Sequence, residues 1–317
     1  MHCGECVAGT LTLCDHTPRT ARTVIHMHPH NGIELIDHPV IAARDLDAAR
    51  ISFERLGFTV PPRGSHVEWG TGNLCIMFPD DYVEIRGIID ASRFTMHLDK
   101  HLDAHGEGLM GVVFGTPDIE CSHAEMLQHG VAAGALQKLS RNFEHPEGWT
   151  QPSFKLCAPE VDDIEGLMHV VVIQHLTPDL LRRPEFLMHA NTCIGVNALS
   201  GTIYEKRRVA GKLRRLLGED EVTEDFDGVR VVLQSGQRLE LLIPGEYESK
   251  YGTIAESPEP QTPRLGAMTL RVASTDGLRD ALGERGIPFT EQAPGLIRVA
   301  AEHACGATLL FTESAPA

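Results

Sequence analysis

The stretch "GIELIDHPVIAARDLDAARISFERLGF", Gly32 to Phe58, carries two periodicities in succession. Pro39, Val40, Ile41, Ala42 and Ala43 form an apolar run of the length of a buried strand, and His38 stands at its threshold. Asp45 then sits where a helix N-cap belongs, Leu46, Ala49, Phe53 and Leu56 share one helical face, and Gly57 supplies a left-handed stop. A polar ring at the edge of a buried strand needs a partner, so His38 poses the functional question.

The same order of a short strand, a capped helix ending near Gly and several further strands recurs along the chain, which makes it an internal repeat. After the first helix the strand candidates are "FTVPP", "SHVEW", "NLCIMF" and "YVEIRGI", of which the unit needs three. A second copy opens at Gly108 with "GLMGVVFGTPDIECSHAEMLQHG" and closes through "SFKLCAP" and "GLMHVVVIQH". A third begins near "TCIGVNAL", continues as a helix over "GTIYEKRRVAGKLRRLLG", and a fourth begins at Gly266. The segment "YESKYGTIAESPEPQTPR" between them is polar, Pro-rich and aperiodic, and reads as a loop. Because one βαβββ unit leaves a sheet face bare, units pair. The expected fold is α+β, with an N-terminal extension over residues 1–32, a first domain over 33–185 and a second over 186–317.

A chain of 317 residues has material for about two full cores. No run approaches the roughly 18 apolar residues of a membrane span, and no secretory leader pattern opens the chain, so the expected compartment is the cytoplasm. The net charge of -16 opposes binding to nucleic acid or anionic lipid, leaving a small molecule as the expected partner. The eight cysteines are scattered as in reduced, buried positions, except for Cys3, Cys6, Cys14 and nearby His16, whose spacing fits no familiar zinc module. "HMHPH" (His26, His28, His30) reads as part of the same extension.

The tandem units and the form "IDHPVIAARDLDAARISFERLGFTV" resemble the vicinal oxygen chelate superfamily, which includes glyoxalase I and the extradiol dioxygenases. Within it "SHVEWGTGNLCIMFPDDYVEI", Ser65 to Ile85, is similar to the glyoxalase-like domain family. The resemblance implies paired modules curled around a divalent metal, Fe(II), Mn(II), Zn(II) or Ni(II), with ligands from the first and last strand of each module. Carried over, it nominates His38 and Glu84 in the first module. In the second, the first-strand position falls near Gly111, which has no ligand, and the last strand offers His175, preferred as lying beyond the apolar run, or His169. Two imidazoles and a carboxylate with open positions suit bidentate chelation of a small oxygenated substrate in lyase, isomerase or dioxygenase chemistry. His66 is the candidate general base or substrate ligand.

Each of these residues also has a structural explanation. Glu84 between Val83 and Ile85 needs a partner if buried, and Arg86 or Arg44 could supply it. His175 could cap the turn at Thr177 and Pro178, and His189 and Asn191 read as loop hydrogen-bonding groups. The third module has Glu240 in the place of Glu84 but Thr192 or Cys193 near the His38 position, and the fourth begins at Ala267 or Met268, so no ligand set is expected there. The second domain is expected to be structural, or to shape the substrate site and a homodimer contact. A metal-free small-molecule-binding protein on the same fold is the competing reading.

Overall fold

In a computed structural model the described residues are 31–65, 69–159, 169–254 and 264–313. The N-terminal Cys/His cluster and His66 lie outside them. The first half runs β1 (Leu35–Ala42), α1 (Leu46–Arg55), β2 (Gly64–Ser65), β3 (Thr71–Met77), β4 (Tyr82–Ile88), α2 (Leu98–His105), β5 (Gly108–Gly115), α3 (Ile119–Gln128), β6 (Gln137–Ser140), β7 (Phe143–His145), β8 (Gly148–Thr150), β9 (Ser153–Cys157) and β10 (His169–His175). The second half runs β11 (Cys193–Thr202), α4 (Lys206–Leu217), β12 (Val222–Glu224), β13 (Gly228–Val232), β14 (Arg238–Leu242), α5 (Pro244–Tyr251), β15 (Arg264–Val272), α6 (Thr275–Glu284), β16 (Thr290–Ala293), β17 (Leu296–Val299) and β18 (Thr308–Glu313).

Each half is one eight-stranded sheet, ordered β2-β3-β4-β1-β5-β10-β9-β6 and β12-β13-β14-β11-β15-β18-β17-β16. The paired-module α+β fold is therefore present twice. The expected capping chemistry forms it: the Asp45 carboxylate accepts from the backbone N–H groups of Asp47 and Ala48, and Gly57 follows α1 with φ +87°. Asp118 accepts from Cys121 N–H at the start of α3 in the same way. Leu46, Ala49 and Phe53 turn inward and join a core on the helix-bearing faces that continues from one half into the other.

The structure departs from the sequence reading at several points. "FTVPP" forms no strand, so the first module is completed by β2, β3 and β4. The polar connector begins as helix: Tyr247 and Tyr251 are the buried residues of α5. Helix α2 was likewise not anticipated, because only Leu98 and Leu102 of its eight residues turn inward. Both helices supply side chains to small clusters on the open face of their sheet, α2 against Val40, Met110 and Val171, α5 against Ala267 and Leu310. Helix α4 starts only at Lys206, since Gly201 and Thr202 still belong to β11.

Register fixes which positions correspond. Val40 pairs with Glu84 across β1 and β4, and Ser200 pairs with Glu240 across β11 and β14. The counterpart of His38, two residues before Ser200, is therefore Ala198 and not Thr192 or Cys193. In the second module Gly111 precedes its cap Asp118 by the same seven positions that separate His38 from Asp45. Val113 pairs with Val171, which puts Val171 where Glu84 would be. A Cβ on Gly111 would lie 2.7 Å from His169 Cβ and 2.5 Å from its carbonyl oxygen, so the close approach of β5 and β10 there requires glycine.

The halves are joined where β1 and β4 begin. Gln237 donates through Nε2 to Ile36 O at 3.1 Å, Val196 O at 3.2 Å and Asp81 Oδ2 at 3.0 Å, and accepts from Ile36 N at 2.8 Å. Asp81 also accepts from Val196 N at 2.9 Å. Burial pushes the Asp81 carboxyl up to about 7, against the opposing pull of the Val196 N–H and the Arg271 guanidinium. A carboxyl raised in the folded state stabilises fully below its unfolded value and loses that contribution as pH rises through about 7. Thermal denaturation should accordingly show wild-type stability falling across this window relative to Asp81→Asn, which has no proton to lose; parallel curves would refute the assignment.

Candidate active site

His38, Glu84 and Asp37 are all buried, at 4%, 3% and 3% exposure. The Asp37 carboxylate accepts from His38 Nδ1 at 2.6 Å and from His175 Nε2 at 3.1 Å through the same oxygen, Oδ1. With Nδ1 engaged, His38 presents Nε2 to Glu84 Oε2 at 3.6 Å and to the Tyr82 hydroxyl at 3.4 Å. The Tyr82 ring stacks on the imidazole, 4.1 Å between centroids. A carboxylate behind one ring nitrogen orients the other, a common device at sites where imidazole ligates or moves protons.

Burial works against the His38 imidazolium, but the bonds to Asp37 and Glu84 outweigh it and hold the ring above its ordinary value. Burial likewise opposes the Asp37 anion, and His175 and His38 overcome it, holding the carboxyl far below the usual range. Glu84 is fixed at both oxygens: Oε1 accepts from Asn73 Nδ2 at 2.7 Å and Oε2 from Arg86 Nη2 at 2.6 Å. Of the two arginines considered for it, Arg86 is the partner; Arg44 instead bonds Leu102 O and ion-pairs with Asp103 at 3.8 Å.

The nominated residues thus converge in part. His38 and Glu84 of the first module face each other. His175 points its Nε2 at Asp37 and leaves Nδ1 buried without a partner. His169 is pushed down to about 4 by burial and by Arg86, with Glu84 pulling the other way, which places it in the field of the same cluster. His189 and Asn191 do hydrogen-bond loops: His189 contacts Met77 O and Thr59 N, and Asn191 contacts Leu56 O and Cys193 N. Asp37 went unnamed in the sequence reading, although its place beside His38 was the available signal.

A cleft of about 590 Å³ between the halves is lined by Asp37, Asp81, His175, Arg182, Gln237 and Arg271, among others, and reaches the Asp37 side of this cluster. In the second half, the counterparts of His38 and Glu84, Ala198 and Glu240, line a cavity of about 400 Å³ with Lys250 and Tyr251. There Lys250 Nζ lies 2.8 Å from Glu240, and the Tyr251 hydroxyl donates to the same carboxylate. Ala198 leaves it without an imidazole.

The family described as "Glyoxalase-like domain" matches residues 36–217, more than half of the chain. The chain belongs to the glyoxalase-like domain family. That family lies within the vicinal oxygen chelate superfamily. Comparison with curated proteins gives no match. Among solved structures, a hypothetical protein from Staphylococcus aureus aligns with TM-score 0.61 at 12% identity, covering 88% of this chain and 99% of its own. A xylose isomerase-like TIM barrel/4-hydroxyphenylpyruvate dioxygenase fusion protein aligns at 0.56 with 10% identity, over 91% of this chain and 50% of its own. A mutant of 4-hydroxymandelate synthase from Streptomyces coelicolor aligns at 0.56 with 11% identity, over 90% of this chain and 94% of its own. At these identities the likeness is one of fold.

The divalent metal implied by the resemblance meets an incomplete donor set among the described residues. Among the described residues no group of three or more His, Cys, Asp or Glu side chains is arranged to hold a metal ion. Arg86 occupies the Glu84 oxygen that faces His38, and His175 is engaged with Asp37. Among the described residues, the side chains as they stand do not fit a three-ligand centre. Dialysis against Zn(II) with metal analysis should leave wild type below one ion per chain, and Arg86→Gln, which frees the carboxylate, should tighten binding on the order of tenfold. Stoichiometric zinc in wild type that is lost in His38→Ala would contradict this.

Proposed function

We propose that this glyoxalase-like protein binds a small oxygenated molecule in its first half and moves a proton on it through the Asp37–His38 pair. The observation that supports the reading is the buried carboxylate behind Nδ1, which leaves Nε2 of a ring held toward its cationic form opposite the Glu84 carboxylate. An imidazolium donates a proton to a carbonyl oxygen as negative charge develops there, and the carboxylate beside it, 3.6 Å away, accepts the proton leaving the adjacent carbon. The product of that exchange is the enediol tautomer, with His38 deprotonated and Glu84 protonated; reversal on the other carbon or face gives isomerisation or epimerisation. Tyr82 stacks on the imidazole and fixes its plane.

The second reading is a binding protein without turnover. It draws on the clamp that Arg86 and Asn73 place on Glu84, since two hydrogen bonds to a carboxylate reduce its basicity. The two readings part in D₂O. Incubation of the full chain with a panel of small 2-hydroxy ketones and aldehydes, followed by proton NMR, should show loss of the carbon-bound proton signal. His38→Gln, which keeps a polar side chain but carries no titratable proton, should slow exchange by roughly 10²–10⁴-fold. Ligand binding without exchange in wild type would favour the binding protein.

A further inference from the structure

A guanidinium cannot shed its charge, so every buried arginine must have its N–H groups accounted for. Two arginines at this site do not. Arg86 and Arg141 are 7% and 5% exposed. Arg86 gives Nη2 to Glu84 and has no acceptor for Nε; Arg141 gives Nη1 to Cys75 Sγ at 3.0 Å and has no acceptor for Nη2. Cys75 stands directly opposite Glu84 across β3 and β4, so both belong to one face of the sheet. The guanidinium of Arg141 also lies 5.7 Å from the centre of the Phe143 ring.

Cys75 does not neutralise Arg141. Burial raises the thiol above its ordinary value despite both guanidiniums nearby, so it stays protonated. One acceptor in the same place is also unused: Asn73 donates to Glu84 through Nδ2 and leaves Oδ1 buried without a partner. Two cationic nitrogens and one acceptor oxygen without partners amount to an unfilled recognition pattern, because leaving such groups buried and unpaired is costly.

We propose that Arg86 and Arg141 receive the carboxylate of a small 2-hydroxy or 2-keto acid, with Asn73 Oδ1 accepting from its hydroxyl. The two unpartnered nitrogens, Arg86 Nε and Arg141 Nη2, match two carboxylate oxygens. A phosphate dianion would bring a second negative charge beside the Glu84 carboxylate, which a monoanionic carboxylate avoids. The chain as a whole carries -16, so the Arg141 guanidinium beside the Arg86–Glu84 pair acts against the average field and selects the anion locally. The inference rests on the first-half site being the ligand site, and not on proton transfer at His38.

Isothermal titration of the full chain with lactate, its neutral analogue lactamide, and inorganic phosphate tests it. Lactate should bind, with lactamide and phosphate each at least ~10-fold weaker, the scale of a charge-assisted contact. Arg141→Met should weaken lactate by roughly 10–100-fold, and Arg141→Lys, which keeps charge and bulk but not the planar fork, by less. Equal binding of lactate and lactamide, tighter binding of phosphate, no binding of lactate, or unchanged lactate affinity in a folded Arg141→Lys and Arg141→Met pair would overturn it. Lactate binding with no hydrogen exchange on any substrate would remove the proton-transfer reading and leave the subsite; exchange without anion preference would do the reverse.

Discussion

The Asp37 carboxylate is the interaction on which the site depends. An isolated buried carboxylate is costly, and here the cost is met by two imidazole N–H groups converging on one oxygen, from His38 beside it and from His175 at the far end of the half. That bond fixes which nitrogen of His38 is free, and the free nitrogen faces Glu84. It also ties β10 to the entrance of β1, while Gln237 of the second half holds the Ile36 backbone one residue before Asp37. The second half has Ala198 where the first has His38, so it holds no counterpart of the His38–Glu84 pair, but it braces the strand from which that pair is built.

Much of the architecture was legible because it is local. Asp45 and Gly57 delimit α1 by cap chemistry that needs no tertiary context, and the recurrence of that pattern reveals the modules. Glu84 was legible as a partner for His38, since a carboxylate in an apolar strand is an exception that demands a cause. The partners that decide its chemistry were harder to read. Arg86 is two residues away on the same strand and was foreseeable as a salt bridge; Asn73 depends on β3–β4 register, and Arg141 on the path of a long connection. His175 is separated from Asp37 by 138 positions, and no periodicity could announce that contact.

The repeats also show how one fold comes to carry one site. The position of His38 becomes Gly111, Ala198 and Ala267 in the later modules, and that of Glu84 becomes Val171, Glu240 and Leu310. Only Glu240 keeps its chemistry, and α5 closes over it with Lys250 and Tyr251. Gly111 answers to packing, since β10 passes too close for any side chain. Helix α2, missed because its inward stripe is two leucines wide, packs Leu98 and Leu102 on the open face of the first sheet beside Val40.

The direct test of this account is the protonation of His38 itself. Nitrogen-15 NMR of selectively labelled histidine, followed through pH and assigned with His38→Gln, reads both the titration midpoint and the nitrogen that keeps its proton. The account predicts a midpoint above the ordinary value of about 6.5, with the proton retained on Nδ1 after titration, and a downward shift in Asp37→Asn. A midpoint at or below the ordinary value, or one that Asp37→Asn leaves unmoved, would contradict it.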